Sequence, residues 1–417
     1  MSARSSTVRA VNRLTGRWVE AAVAADGRTG TVLTAAGVWP LLALLADGAG
    51  GRARAELAGA LGIPAGRAAG AARELLAALG RVRGLQAATG LWTRADLPLD
   101  PEWAAGLPEE AQGTLGGDPA ADRVLLDEWA AARTGGLVDR MPVEPTADTR
   151  LVLASALALR LRWLRPFREW PGTMREGPWA GREVLRLLRT TSLLHRVRVA
   201  GTPAGPVTVL EVVGDGGVDV HLVLGAADAP AGQVLAGGIA AATRAVPSVD
   251  GFALPEGAPG PGLRVGVGAA YRPEPRLSVD TVAFSVDADH DLLEHAGLFG
   301  LETARTRDAA GHFPGAVREP LLIDAGRQAA VARFHAKGFE AAAVTAFGAV
   351  GAGVLPPPPY RVRTIDVRFD RPFGFLAVQR SSRLVLAAGW VAEPLAYVAA
   401  EYEDEDWDED EGRDDEE

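Results

Sequence analysis

Few residues in this chain of 417 have the types and spacing that chemistry needs. There is no cysteine, which removes disulfides, thiolate metal sites and thiol nucleophiles. No Gly-x-Ser-x-Gly turn presents a hydrolase serine, and no Walker A loop cradles phosphate. Gly266-Val267-Gly268 is a fragment of a dinucleotide fingerprint and reads as a turn or bulge. His290 and His295 are the nearest histidine pair, but a spacing of five does not bring two side chains to one helical face. Glu109-Glu110 reads as the solvated start of a turn rather than a general acid and its base. No enzyme, no cofactor and no metal are expected.

The stretch that asks for a task is Ala336 to Pro359. It contains no charge between Glu340 and Arg361, is rich in Ala, Gly and Val, and ends in four prolines. A long surface loop is normally polar, and a permanently buried strand is normally richer in large β-branched and aromatic residues. A segment that is neither fits two alternative states, an exposed loop and a buried strand. Read as a strand, it puts Phe339, Ala341, Ala343, Thr345 and Phe347 on one face and Glu340, Ala342, Val344, Ala346 and Gly348 on the other.

Composition supplies the frame. With 48% hydrophobic residues the chain can bury a large core. Residues 401–417 carry a net charge of −12 against −10 for the whole, which leaves residues 1–400 at about +2. The body has no basic excess, so nucleic acid is not an expected partner. The tail, 398–417, reads as a separate acidic and disordered appendage. Lys337 is the only lysine, and arginine otherwise takes its place in the manner of a GC-rich genome. The first sixteen residues lack the apolar core of a signal peptide. The apolar run Val38–Ala46 is too short to span a bilayer. No membrane contact and a cytoplasmic location are therefore expected.

The elements that would position the long loop can be read in order. Helical spacing predicts helices over Val8–Ala25, Val38–Ala46, Arg52–Leu61, Arg67–Arg83, Asp122–Arg133 and Asp291–Phe299. Strands are predicted at Thr31–Thr34, Leu85–Thr93, Leu263–Val267, Leu277–Ser285, Val362–Arg368, Phe373–Gln379 and Leu384–Val391. Val207–Val213 and Val218–Leu224 flank Asp215-Gly216-Gly217 as a hairpin. Leu151–Trp163 is nearly continuously apolar up to Leu159, as a central strand covered on both faces would be. The result is an α+β chain with one domain over 1–397 and no internal repeat.

Several of these stretches resemble one family. Phe369-Asp370-Arg371-Pro372-Phe373-Gly374-Phe375-Leu376, followed by Leu384 through Pro394, resembles the closing signature of the serpins. Gly338 through Ala346 resembles their hinge. Ala154-Ser155-Ala156 through Trp163 and Pro166-Phe167 resembles their central strand. Leu126-Asp127-Glu128-Trp129 with Thr134-Gly135-Gly136 is similar to the helix over their main sheet. Asp291-Leu292-Leu293-Glu294 and His312-Phe313-Pro314-Gly315 fall in the same order, so the resemblance runs from about residue 10 to 396. Together with the codon-driven composition, it is to a bacterial member.

The resemblance implies a serpin fold: a large central mixed β-sheet, two smaller sheets, eight or nine helices and an exposed reactive-centre loop over about 336–360. It implies a monomeric, single-use suicide inhibitor of a serine protease, whose cleaved loop inserts into the central sheet. The hinge would be Gly338, Phe339, Glu340, Ala341, Ala342, Ala343, Val344 and Thr345, with Gly338 as pivot. Counted from Gly338, the scissile bond falls at Ala352-Gly353, with Val350-Gly351 and Val354-Leu355 as alternatives. A small apolar residue there suits an elastase-like or subtilisin-like protease. Family members also act outside the cell, which keeps an extracellular location open.

The sheet-opening region would comprise Thr34, Gly37, Ser155, Trp163 and Gln328. Here Ser155 stands for the family's asparagine, Gln328 for its histidine and Ala336 for a glutamate that pins the loop, whereas Trp163 is retained. Phe339 replaces a small or β-branched residue. Driving it into a closed sheet is expected to cost ~1–3 kcal/mol and to slow insertion roughly 5- to 150-fold. The alternative reading is accordingly a non-inhibitory serpin, acting as a binding or structural protein or as a plain protease substrate.

Overall fold

The nine residues of Leu151–Leu159 (β4) are buried along their whole length, as a strand covered on both faces requires. In the computed structural model, which describes residues 4–309, 311–339 and 358–397, the molecule is built outwards from this strand. β4 pairs antiparallel with β2 (Leu85–Arg94) and parallel with β15 (Ala325–Phe334). β3 (Gln112–Leu115) extends the sheet beyond β2, and β14 (Phe284–Asp291) pairs with β15. Two short strands, β5 (Leu161–Arg162) and β16 (Gly338–Phe339), close one end. This is the large mixed central sheet.

Its two faces are covered differently. Even-numbered residues of β4 meet α6 (Pro119–Thr134), where Leu126 and Ala130 pack with Ala88, Val152 and Ala156. Odd-numbered residues meet the main core and α2 (Ala35–Gly48). Apart from Asp47, α2 is buried all round, which is why its sequence is apolar all round.

A second sheet runs β1 (Thr31–Leu33), β19 (Val385–Val391), β18 (Phe373–Gln379), β10 (Val218–Leu224), β9 (Gly205–Val213), β8 (Val197–Thr202), β11 (Ser248–Asp250). A third has five strands in the order β12 (Leu263–Ala270), β17 (Tyr360–Arg368), β13 (Arg276–Val282), β7 (Glu183–Thr191), β6 (Arg168–Thr173). The remaining α-helices are α1 (Ser5–Ala22), α3 (Gly51–Leu61), α4 (Ala68–Leu79), α5 (Pro101–Gly106), α7 (Ala231–Ala242) and α8 (Ala296–Phe299), eight in all among the described residues. None of them is long and apolar enough to cross a membrane.

Three expectations are corrected. The strand predicted over Leu151–Trp163 breaks at Arg160, whose side chain is exposed and whose amide turns to Gly84 O at 2.8 Å. The helix predicted over Asp291–Phe299 survives only in its last turn, because Asp291 still belongs to β14 and caps the Leu293 amide at 2.8 Å. Helix α7 was not predicted, and it carries Gly237-Gly238 in its interior. The two glycines are there for close approach: a Cβ on Gly237 would lie 2.9 Å from Thr202, and one on Gly238 2.6 Å from Val223. The hairpin turn holds, with Gly216 and Gly217 at φ 65° and 82°.

One buried titratable group of the second sheet makes a prediction. Both ring nitrogens of His221 lie in the core without a hydrogen-bond partner among the described residues. Burial, reinforced by Arg198 nearby, pushes its pKa down to about 3. The unfolded chain, at ~6.5, therefore takes up the proton first on acidification. The stability contributed by the neutral ring is full above that pH and falls as pH drops toward the folded value. Between pH 7 and 5 the loss is about 2 kcal/mol. Urea unfolding at the two pH values should show this slope in the native protein and most of it gone in His221→Phe; an unchanged slope would assign it elsewhere.

Candidate functional site at the loop root and the sheet seam

After β15 ends at Phe334 the chain turns through His335-Ala336-Lys337 and re-enters the sheet as β16. Gly338 and Phe339 pair antiparallel with Arg162 and Leu161 of β5, and Phe339 also pairs with Phe334 of β15. The turn is pinned by main chain: His335 N donates to Gly338 O at 2.9 Å, Trp163 N to Lys337 O at 3.0 Å, and Phe167 N to Ala336 O at 2.8 Å. The Trp163 indole adds a bond to His335 O at 2.8 Å, with its ring 4.9 Å from that of Phe334. Ala336 is buried at 2% exposure, so the glutamate expected to pin the loop has no place here and backbone bonds do its work.

Two site expectations change. Gly338 is not required as a pivot of unusual dihedral angle. A Cβ there would lie 2.1 Å from Leu161 O, so the close approach of β5 demands glycine. Phe339, expected as an obstacle outside a closed sheet, is already inside it. It is 2% exposed, and its ring lies 6.1 Å from Phe375 at the edge of an aromatic cluster that includes Phe284, Phe334 and Trp163. The core has grown around this side chain, so no overpacking remains to be overcome. Glu340, Ala341, Ala342, Ala343, Val344 and Thr345, and the bond Ala352-Gly353, lie outside the described residues, as does the acidic tail.

Further along the β4–β15 seam lies a buried polar row. His290, Gln328, Ser155 and Thr89 face one another across β14, β15, β4 and β2 in register. Gln328 reads the backbone of Thr34 with both ends of its amide: Oε1 accepts from Thr34 N at 2.8 Å and Nε2 donates to Thr34 O at 2.9 Å. Thr34 in turn caps α2, its hydroxyl accepting from Gly37 N at 3.3 Å. His290 Nε2 bonds Val32 O at 3.0 Å, and burial holds its pKa below the usual histidine range. β15 and β14 are thus tied to the β1–α2 junction.

β4 is not tied in the same way. The Ser155 hydroxyl is fully buried and has no partner among the described residues. It faces Gly37, on which a Cβ would lie 2.3 Å from the Ser155 oxygen, so this glycine makes room for Ser155, while its carbonyl accepts from the Thr89 hydroxyl of β2 at 3.5 Å. The structure thus brings together Thr34, Gly37, Ser155 and Gln328. It separates Trp163 from them and places it at the loop root. His290 and Thr89 were not anticipated, because their membership depends on register between strands distant in sequence.

Among the described residues no three His, Asp or Glu side chains cluster so as to hold a metal ion. What the arrangement defines is a closed central sheet whose end holds Gly338 and Phe339, the last described residues before 358. A family model of serpins (serine protease inhibitor) matches residues 9–176. Serpin-Z6C of Oryza sativa subsp. japonica is 26% identical over 92% of this chain and 95% of its own length. Serpin-Z12 of the same organism is 28% identical over 92% and 90%.

Solved structures show the same fold. Thyroxine-binding globulin, in complex with thyroxine, superposes with a TM-score of 0.67 at 17% identity, covering 94% of this chain and 99% of that one. Serpin48 of the insect Tenebrio molitor gives 0.66 at 18%, covering 93% and 97%. These matches support the serpin family, whose members are in general protease inhibitors rather than catalysts.

Proposed function

We propose that this chain is a suicide inhibitor of a serine protease, cleaved within the loop that begins at Gly338 and then taking that loop into the β4–β15 seam. The observation that carries this reading is β16. Gly338 and Phe339 already stand as an antiparallel strand at the end of a seam whose two long strands still pair directly. The next residues on the core face by alternation would be Ala341, Ala343 and Thr345, all small, and the only charge among the following residues is Glu340 on the other face. Opening would move β4 with β2, β3 and α6, because Gln328 ties β15 to the start of α2 with two short bonds while Ser155 offers β4 none and Thr89 of β2 reaches Gly37 O only at 3.5 Å. The Ala352-Gly353 bond suits an elastase-like or subtilisin-like protease with a shallow apolar pocket.

The test is incubation with enzymes of both kinds. A covalent complex that survives detergent and heat, together with a raised thermal midpoint of the loop-cleaved chain, is the expected result. Clean cleavage with no complex and an unchanged midpoint would replace this reading by that of a binding protein or plain substrate.

A further inference from the structure

Beside the loop root lies a small cavity of about 120 Å³, reaching the surface at the exposed Leu164. Its polar lining is Arg165, Arg189, Thr191, Arg196 and Glu211. The one carboxylate is already engaged: Glu211 accepts from Arg196 and, at 2.9 Å, from Arg198. Arg165 and Arg189 meet no carboxylate among the described residues. Arg165 donates to the Thr191 hydroxyl at 3.1 Å, and Arg189 donates to Arg165 O at 2.9 Å while lying 4.2 Å above the Phe167 ring. The Nε groups of Arg189, Arg196 and Arg198 are buried without partners among the described residues.

Such a site is short of negative charge. Guanidinium groups remain protonated at neutral pH, so Arg189 cannot relieve its burial by losing a proton, although burial and the neighbouring Arg165 and Arg196 lower its pKa to about 10. Bulk composition does not explain the cluster, since residues 1–400 are almost neutral. The remaining relief is a bound anion, and planar forks facing one cavity are suited to oxyanions. The volume equals about four waters at ~30 Å³ each, room for one tetrahedral oxyanion and not for a nucleotide.

We propose that this cavity, formed by Arg165, Arg189, Thr191 and Arg196, binds one phosphate- or sulfate-type oxyanion. The group could be a free ion or the end of a larger molecule. The test is calorimetric titration of the full chain with inorganic phosphate at constant ionic strength, repeated with phosphoserine. Saturable one-to-one binding is expected, competed by sulfate and not by chloride. It should weaken about ten-fold or more in Arg189→Gln, the loss of one charge-assisted hydrogen bond, and also in Arg165→Gln, an exposed position where folding is not at risk. Arg264→Gln, on β12, serves as the control and should bind as the native chain does. Phosphoserine binding as well as phosphate would place the group on a larger molecule, whereas binding of phosphate alone would assign a free ion. Absence of saturable binding at millimolar phosphate, or equal affinity in both pocket variants, would overturn the proposal.

Discussion

Gln328→Leu is expected to destabilise the protein by ~1–3 kcal/mol. The substitution keeps the volume but strands the Thr34 N–H, which Gln328 satisfies at 2.8 Å, and removes the 2.9 Å bond to Thr34 O, which keeps only the Gly37 amide at 3.3 Å. An interior amide left without a partner costs ~1–3 kcal/mol. The loss falls at the junction that orders the start of α2, so the variant should also exchange the Thr34 and Gly37 amides faster. Ser155→Ala provides the contrast. It deletes a buried hydroxyl that has no partner, and is expected to be neutral or stabilising by up to ~1 kcal/mol. Urea unfolding of the two variants separates the cases. Equal stability of Gln328→Leu and the native chain would show that the amide does not tie β15 to α2.

Phe339→Ala is expected to cost more. Truncating a buried phenylalanine costs ~3–5 kcal/mol, and here the ring closes the edge of an aromatic cluster. Because β16 is only two residues long and ends the sheet, the penalty is expected locally, as release of the strand rather than global unfolding. Hydrogen exchange should therefore rise at Phe339 and Leu161, the paired backbone, while β4 and α6 keep their protection. The same logic reverses an expectation drawn from residue size. Phe339→Thr removes an anchor and should not accelerate loop insertion. Rates of complex formation with a cleaving protease would decide this, and a faster variant would restore Phe339 as an obstacle.

The contrast between these two residues shows what could be read in advance. β4, α2 and the hairpin around Gly216-Gly217 were legible because each is local: continuous burial, all-round apolarity and a turn that needs positive φ write themselves into neighbouring residues. Of the residues the resemblance named, Thr34 and Gln328 are hydrogen-bonded and Ser155 pairs in register with Gln328. What could not be read was the third dimension of each site. That Phe339 lies inside the core depends on Phe375, and that Gly37 exists to clear Ser155 depends on a contact between α2 and β4. That Trp163 packs at the loop root against His335 and Phe334 was illegible for the same reason, because strand register is set by partners far along the chain. Helix α7 was missed, and the purpose of its glycines appears only once β8 and β10 lie beneath them.

The short strand β16 has a direction as well as a place. It runs antiparallel to both β15 and β5, whereas β4 and β15 run parallel to each other. Continuing it down the seam would exchange one parallel ladder for two antiparallel ones, whose hydrogen bonds are straighter and slightly stronger per residue. The seam is therefore a slot with a polarity. A peptide supplied from outside with the sequence of the loop would satisfy it in one chain direction only, since entering the other way round it would meet β4 and β15 in parallel.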